Sequence, residues 1–145
     1  PYGMVGGQMI DLAGEGQNLD QAQVTHLHLL KTGRMFAFAC EAGAILGKAP
    51  KSMRMALRSY AHDMGLAFQI KDDLLDVEGS SEELGKTAGK DFDQDKSTFV
   101  KLLGLEQARE QATMLCDQAI NHLKCFDAEA EPLREVARFV IERGR

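Results

Sequence analysis

Apolar residues recur along this chain with the period of an α-helix, and nowhere with the alternation of a strand. Met4, Val5, Met9, Ile10 and Leu12 space a helix over about residues 4–15, with glycines among them that permit close backbone approach. A polar turn at Gly16-Gln17-Asn18 leads to Asp20, a capping residue type. A long run follows to about residue 46, in which Val24, Leu27, Leu30, Phe38, Ala42 and Ile45 keep the helical spacing. Gly33 lies in the middle of that run, where it costs about 1 kcal/mol relative to alanine, so a kink or a close approach is expected there. Gly47 and Pro50 end the segment. Ser52 opens the next helix, whose apolar positions Met64, Leu66, Ala67, Ile70, Leu74, Leu75 and Val77 run to Glu78 before Gly79 supplies a left-handed stop. From 79 to 97 the period is lost in a loop where Gly79, Gly85, Gly89, Lys86, Lys90 and Lys96 are interleaved with acids. Loops of that length inside compact domains tend to be functional or disordered. Helices resume over about 98–103, 106–124 and 131–142. The pattern predicts an all-α antiparallel helical bundle, with residues 1–145 as one domain.

Two of these helices are apolar over wide arcs, which marks them as interior elements of a bundle larger than this chain. The start fits that reading: Pro1 with Gly3, Gly6 and Gly7 close behind looks like the interior of a longer protein. Missing cover over 30–46 and 66–77 predicts self-association, a homodimer, or a partner that supplies the absent half.

Composition narrows the classes. A length of 145 residues allows one modest domain with a real core. A formal charge of -5 with no basic stripe argues against nucleic acid. Cys40, Cys116 and Cys125 are odd in number and form no CxxC pair, which points to a reduced, cytoplasmic compartment. The longest apolar stretch, 35–46, is interrupted by Glu41 and falls short of the ~20 residues of a membrane span. No basic n-region or cleavage site opens the chain.

The chemistry concentrates at Asp72-Asp73-Leu74-Leu75-Asp76. With Glu78, these acids fall in the last turns of the predicted helix, where the macrodipole repels negative charge. Asp72 and Asp76 share a face, and Asp73 neighbours Asp76. A cation would offset them, and an oxygen-only donor set with room for water and phosphate suits Mg²⁺. Such a motif alone is also compatible with an acidic, solvated helix end. Gln69 projects on the carboxylate side of the same helix. Lys31, between Leu30 and Met35, reads either as a snorkelling side chain or as a phosphate ligand. Lysines Lys86 and Lys90 in the glycine-containing loop complete the parts of a diphosphate site. His26 and His28, two apart on a helix, make a poor metal pair. Cys116 and Cys125 read as small packing residues, and the methionines with Phe36, Phe38 and Phe68 as core and pocket lining.

Gly6-Gly7-Gln8-Met9-Ile10-Asp11-Leu12, Lys31-Thr32-Gly33, the run from Phe68 to Asp76 and Leu84-Gly85-Lys86-Thr87-Ala88-Gly89-Lys90-Asp91 stand here in the order seen in the trans-polyprenyl diphosphate synthases. The chain resembles the C-terminal half of that family. The run Lys96-Ser97-Thr98 to Gly104-Leu105-Glu106-Gln107-Ala108 looks like its bacterial farnesyl diphosphate synthase type. The resemblance implies an isoprenoid synthase bundle and a Mg²⁺-dependent transferase that condenses an allylic diphosphate with isopentenyl diphosphate, with farnesyl diphosphate as product. By the same resemblance Asp72 binds Mg²⁺, with Asp73 and Asp76 acting through water or behind it. Lys31 and Lys90 contact the allylic diphosphate. Thr32, Gln69 and a carbonyl near Lys31 face the nascent carbocation.

The first aspartate-rich motif of the family, its arginine pair and the upstream residues that set product length do not occur in this sequence. Asp91-Phe92-Asp93-Gln94-Asp95 does not replace them. Arg143 and Arg145 resemble a basic C-terminus that assists isopentenyl diphosphate binding in some members, or are simply solvated. These absences predict that the isolated chain is inactive. They leave a rival reading, a non-catalytic helical module that keeps one metal–diphosphate site. A head-to-head terpene synthase is disfavoured by Lys31-Thr32-Gly33 and Gly89-Lys90-Asp91.

Overall fold

The structure is a computed structural model and describes residues 2–84 and 98–144. Every regular element among them is helical: α1 (Met4–Ala13), α2 (Gln21–His28), α3 (Arg34–Leu46), α4 (Lys51–Leu84), α5 (Phe99–Leu103), α6 (Leu105–His122) and α7 (Glu131–Glu142). A π-helical turn, Leu29–Gly33, carries α2 into α3, and short 3-10 turns at Leu123–Cys125 and Ala128–Ala130 connect α6 to α7. Asp20 starts α2 as its residue type predicts. Its Oδ1 accepts the Gln23 N–H at 2.9 Å while Gln23 Oε1 accepts the Asp20 N–H at 2.9 Å. This reciprocal pair satisfies two backbone donors at once.

Helix α4 is the axis of the molecule, ~50 Å long at 1.5 Å per residue, and packs against α3, α5, α6 and α7. Four contacts along it fix the directions of its neighbours. Gly65 faces Gly33, so α3 and α4 form a hairpin about the link at Gly47–Pro50. A Cβ on Gly65 would lie 2.8 Å from the Gly33 Cα. Asp63 meets His122 and Glu78 meets Arg109, so α6 runs antiparallel to α4. Helix α7 then returns along α4, with the Tyr60 hydroxyl donating to the Leu133 carbonyl at 2.8 Å. Arg134 locks the corner before α7 by donating to the carbonyls of Leu123 and Phe126, 2.9 Å each.

The core divides along α4. Leu66, Ala67, Ile70 and Leu74 pack with Val24, Phe99, Val100, Ala108, Ala112 and Leu115 toward one end. Leu57, Tyr60 and Met64 pack with Ala44, Cys116, Ala119, Leu123, Ala137 and Val140 toward the other. Met64, Ile70 and Leu74 are fully buried, each worth roughly 1.5–3 kcal/mol of transfer free energy.

The helical periodicity fails at a few particular positions. Gly79 does not stop α4, which continues to Leu84. Glycine ends a helix only where the chain turns left-handed. Here the Arg109–Glu78 ion pair, at 2.7 Å, ties the preceding turn to α6. The aspartate cluster therefore lies inside the helix rather than at its C-terminus. The first residues of the expected loop, up to Leu84, are helical, and residues 85–97 fall outside the described residues. Leu66, Ile70 and Leu74 are covered, so the apolar surface left open is not on that stretch of α4. Most of it lies on α1 (Val5, Met9, Leu12) and α3 (Met35, Phe38, Ile45, Leu46), with Met55 near the start of α4 and Phe139 on α7 also exposed. Phe38 is exposed rather than core, and Cys125 is exposed while Cys116 is buried. Among the described residues no helix is long and apolar enough to cross a membrane.

Candidate active site

The π turn is what brings Lys31 and Thr32 to α4. In it the Arg34 N–H reaches back to the Leu29 carbonyl, five residues away, which widens the turn and shifts the side chains that follow. Helix α1 presses directly on it. Gly7 has no side chain because a Cβ there would lie 2.4 Å from the Lys31 backbone nitrogen. The same packing puts Asp11 of α1 against the lysine, whose Nζ donates to Asp11 Oδ2 at 2.6 Å. The Lys31 ammonium is thus anchored by a carboxylate rather than free in solvent. Thr32, next in the turn, donates its hydroxyl to Gln69 Oε1 at 2.9 Å. Lys31, Gln69, Asp73 and Asp76 line one cavity of about 180 Å³, together with Asp11, His28 and Thr98.

The three aspartates differ in their surroundings. Asp73 is buried, and its Oδ2 accepts the Phe99 N–H at 2.8 Å, which ties the first turn of α5 to α4. Burial pushes its carboxyl up to about 6; the Phe99 hydrogen bond opposes this, and the charges of Asp76 and Asp72 add to it. Asp72 is also raised by burial, against the pull of Arg143 at the end of α7. That guanidinium is hydrogen-bonded to Asp72 Oδ1 and lies over the Phe68 ring, 4.2 Å from its centroid. Asp76 is the exposed member.

Sequence reasoning placed Lys31, Thr32 and Gln69 together, and the structure brings them together. Lys31, Gln69, Asp73 and Asp76 share the cavity. Asp72 is instead engaged by Arg143, and Lys90 and Lys86 fall outside the described residues. No group of three or more His, Cys, Asp or Glu among the described residues gathers as a closed metal cage. The donor chemistry nevertheless fits Mg²⁺. Burial and mutual repulsion raise Asp72 and Asp73, and Asp72 already carries a cation in the form of Arg143. Mg²⁺ needs only one or two such carboxylates when substrate oxygens complete its shell. Asp72 and Asp76 would hold it, with Asp73 behind them on the Phe99 amide.

The sequence assigned no site role to Asp11, His28 or Phe99, and Arg143, expected to act as a basic C-terminus or to be solvated, is instead paired with Asp72. Asp11 stood in a quoted motif, four residues after Gly7, and its acid so near a packing glycine was a usable signal. Arg143 and Asp72 are 71 residues apart, and no local pattern joins them.

Solved structures share this architecture. The FPP/GFPP synthase from Zymomonas mobilis superposes with a TM-score of 0.82 at 50% identity, over 95% of this chain and 45% of its own. A geranyltransferase from Helicobacter pylori, complexed with magnesium and isoprenyl diphosphate, superposes with a TM-score of 0.73 at 32% identity, over 97% of this chain and 46% of its own. The fold is therefore the all-α bundle of the isoprenyl diphosphate synthases. Residues 2–135 match the polyprenyl synthetase family model, and the chain belongs to that family. The farnesyl diphosphate synthase of Geobacillus stearothermophilus is 38% identical over 99% of this chain and 48% of its own length. The chain thus spans about half the length of the curated relatives it matches.

Proposed function

We propose that the chain is the part of a divalent-metal-dependent prenyltransferase that binds the allylic diphosphate and faces the carbocation formed from it. The second substrate is isopentenyl diphosphate, and the product a short-chain polyprenyl diphosphate, farnesyl diphosphate first among them. One observation carries this reading. Lys31 and Gln69, whose oxygen accepts the Thr32 hydroxyl, line one small cavity together with the Asp73 and Asp76 carboxylates.

Asp72 and Asp76 would hold the Mg²⁺, whose charge would offset that of the diphosphate leaving group. Lys31 adds a fixed positive charge, held in place by Asp11, for the same phosphate oxygens. As the allylic C–O bond breaks, its electron pair leaves with the diphosphate and positive charge spreads over the allyl carbons. The Gln69 oxygen, oriented by Thr32, presents a preorganised negative dipole to that charge. The isopentenyl double bond then supplies the electrons of the new carbon–carbon bond, and a proton is lost to the departed diphosphate. No protein base is needed. Lys90 is the second lysine proposed for the allylic diphosphate.

The test uses the full-length protein with geranyl diphosphate, isopentenyl diphosphate and Mg²⁺, with products read by mass spectrometry. Farnesyl diphosphate formation that falls in Gln69→Leu, with the Michaelis constant for the allylic substrate little changed, supports the reading. A non-catalytic module has one observation in its favour, the occupation of Asp72 by Arg143. Pyrophosphate and Mg²⁺ binding without any product would favour it.

A further inference from the structure

A second cavity, of about 460 Å³, lies between α2, the π turn and α3 on one side and α4 on the other. It shares no lining residue with the cavity of Lys31. His26, Arg34, Arg58, His62 and His122 bring basic or imidazole nitrogens to its wall from four different helices. Asp63 is the single acid among its lining residues and is 9% exposed. Both carboxylate oxygens are occupied: Oδ1 by His62 Nδ1 and Oδ2 by His122 Nε2, 3.0 Å each. A carboxylate only accepts, so each imidazole donates from that nitrogen, and the pairing fixes both tautomers. His62 Nε2 and His122 Nδ1 are left over. The Arg34 side chain is exposed and has no ion pair among the described residues. Arg58 is loosely held, with its Nε 3.8 Å from Glu41, a residue that also meets Arg54 at 3.3 Å.

We propose that this cavity is a second anion site. It takes a phosphate-type dianion, either free phosphate or diphosphate or the head of a phosphorylated small molecule. Arg34 and Arg58 supply charge-assisted donors to the phosphoryl oxygens. His62 and His122 take up protons at their free nitrogens as the anion enters. Two lone pairs that would repel it thereby become N–H donors, and the Asp63 charge balances the added protons. The charged and titratable groups facing the two imidazoles in the cavity are Asp63, Arg34, Arg58 and His26, with Glu41 beside Arg58. A metal ion is the poorer occupant, because no three His, Cys, Asp or Glu among the described residues gather to hold one. Leu29, Leu30 and Ala37 form an apolar stretch of wall that suits the carbon part of an ester. Leu29, Leu30 and Gly33 also belong to the π turn that carries Lys31 and Thr32, so the anion rests against the same turn from outside the catalytic cavity. The site stands whether or not the chain turns over prenyl substrates.

The experiment uses the full-length protein with divalent metal removed by EDTA, which keeps a metal-dependent diphosphate site weak. Histidine ring resonances are followed by NMR in isotopically labelled protein during titration with inorganic phosphate, pyrophosphate and geranyl diphosphate. His62 and His122 should shift saturably with each. Arg34→Gln combined with Arg58→Gln should weaken binding about fivefold or more, while Lys31→Ala leaves it unchanged. Both arginines are exposed, so the double variant keeps the fold. Tighter binding of geranyl diphosphate than of pyrophosphate identifies the ligand as an ester; equal or weaker binding identifies the free anion. Sulfate keeps its charge across neutral pH and isolates the histidines. It should bind about fivefold or more tightly near pH ~6 than near pH ~8, where the imidazoles lack the second proton. Histidine resonances indifferent to all the anions would overturn the proposal, as would a sulfate affinity independent of pH. Binding lost in Lys31→Ala but kept in the double arginine variant would also overturn it, by placing the anion in the catalytic cavity.

Discussion

At the scale of single residues, burial sets the titration and pairing that the chemistry needs. His28 is the clearest case. Its folded value, about 4, lies below the ~6.5 of an exposed histidine, so between those values the unfolded chain holds the extra proton. Stability from this group is complete above about pH 6.5 and is lost as pH falls toward 4. The full effect is on the order of 3 kcal/mol. Urea unfolding across that range should show the slope, and His28→Phe should flatten it; an equal slope in the variant would assign it to other groups. Arg143 gives a second case. Its guanidinium competes with any cation for Asp72, so Arg143→Ala should tighten Mg²⁺–pyrophosphate binding severalfold by calorimetry, with Arg143→Lys between. Weaker binding in the alanine variant would show that the arginine serves the ligand rather than displacing it. None of this was readable from residue spacing, because burial and a contact over 71 residues are properties of the folded chain.

At the scale of elements, helix crossings depend on where side chains are missing. Gly65 and Gly33 let α3 and α4 touch backbone to backbone. Gly65→Ala should therefore force the pair apart and cost about 1–3 kcal/mol in denaturant unfolding. Gly43 is exposed on α3, and its Cβ would meet nothing within 4 Å. Gly43→Ala should instead stabilise by about 0.5–1 kcal/mol through the restricted unfolded chain and better helix propensity. Both changes moving stability in the same direction would contradict this account. The elements themselves were largely legible. Asp20 announced α2 by its capping chemistry, and Val24, Leu27 and Leu30 kept the period that buries them. Gly33 announced an interruption, and the structure supplies both a π turn and a close approach. Gly79 misled because its residue type is compatible with a stop but does not impose one.

At the scale of the whole molecule, the exposed apolar face of α1 and α3 dominates. Val5, Met9, Leu12, Phe38 and Leu46 are all more than half exposed. Surfaces of this kind are covered in stable proteins. The isolated 145-residue chain should therefore self-associate as concentration rises, which sedimentation would read as a shift above the 15.9 kDa monomer. It should also lack turnover, since one carboxylate cluster leaves the departing diphosphate partly uncompensated and a lost electrostatic donor alone can cost ~10²–10³ in rate. A compact monomer at high concentration, or turnover in verified 145-residue material, would contradict these expectations. The sequence pointed to uncovered helices but placed part of the open surface on α4. Apolar periodicity marks which residues seek cover, and only the packing of α5 and α6 shows which of them find it within the chain.

The turn at Leu29–Gly33 has one further consequence, for how this segment tolerates changes in length. A π turn holds one residue more than an α-helical turn needs, so it acts as a phase shifter between α2 and α3. Each residue of an α-helix advances the azimuth by about 100°. Deleting one residue inside the turn would let the helix heal into regular α geometry. The flanking helices would keep their relative azimuth, because the wider turn absorbs the surplus residue; rewinding all five residues as α-helix would instead swing α2 by about that angle relative to α3, carrying His28 away from Phe99 and turning Lys31 off Asp11. Length and direction are thus exchangeable at this one place: the chain spends a surplus residue to aim two faces of a continuous rod at two different neighbours.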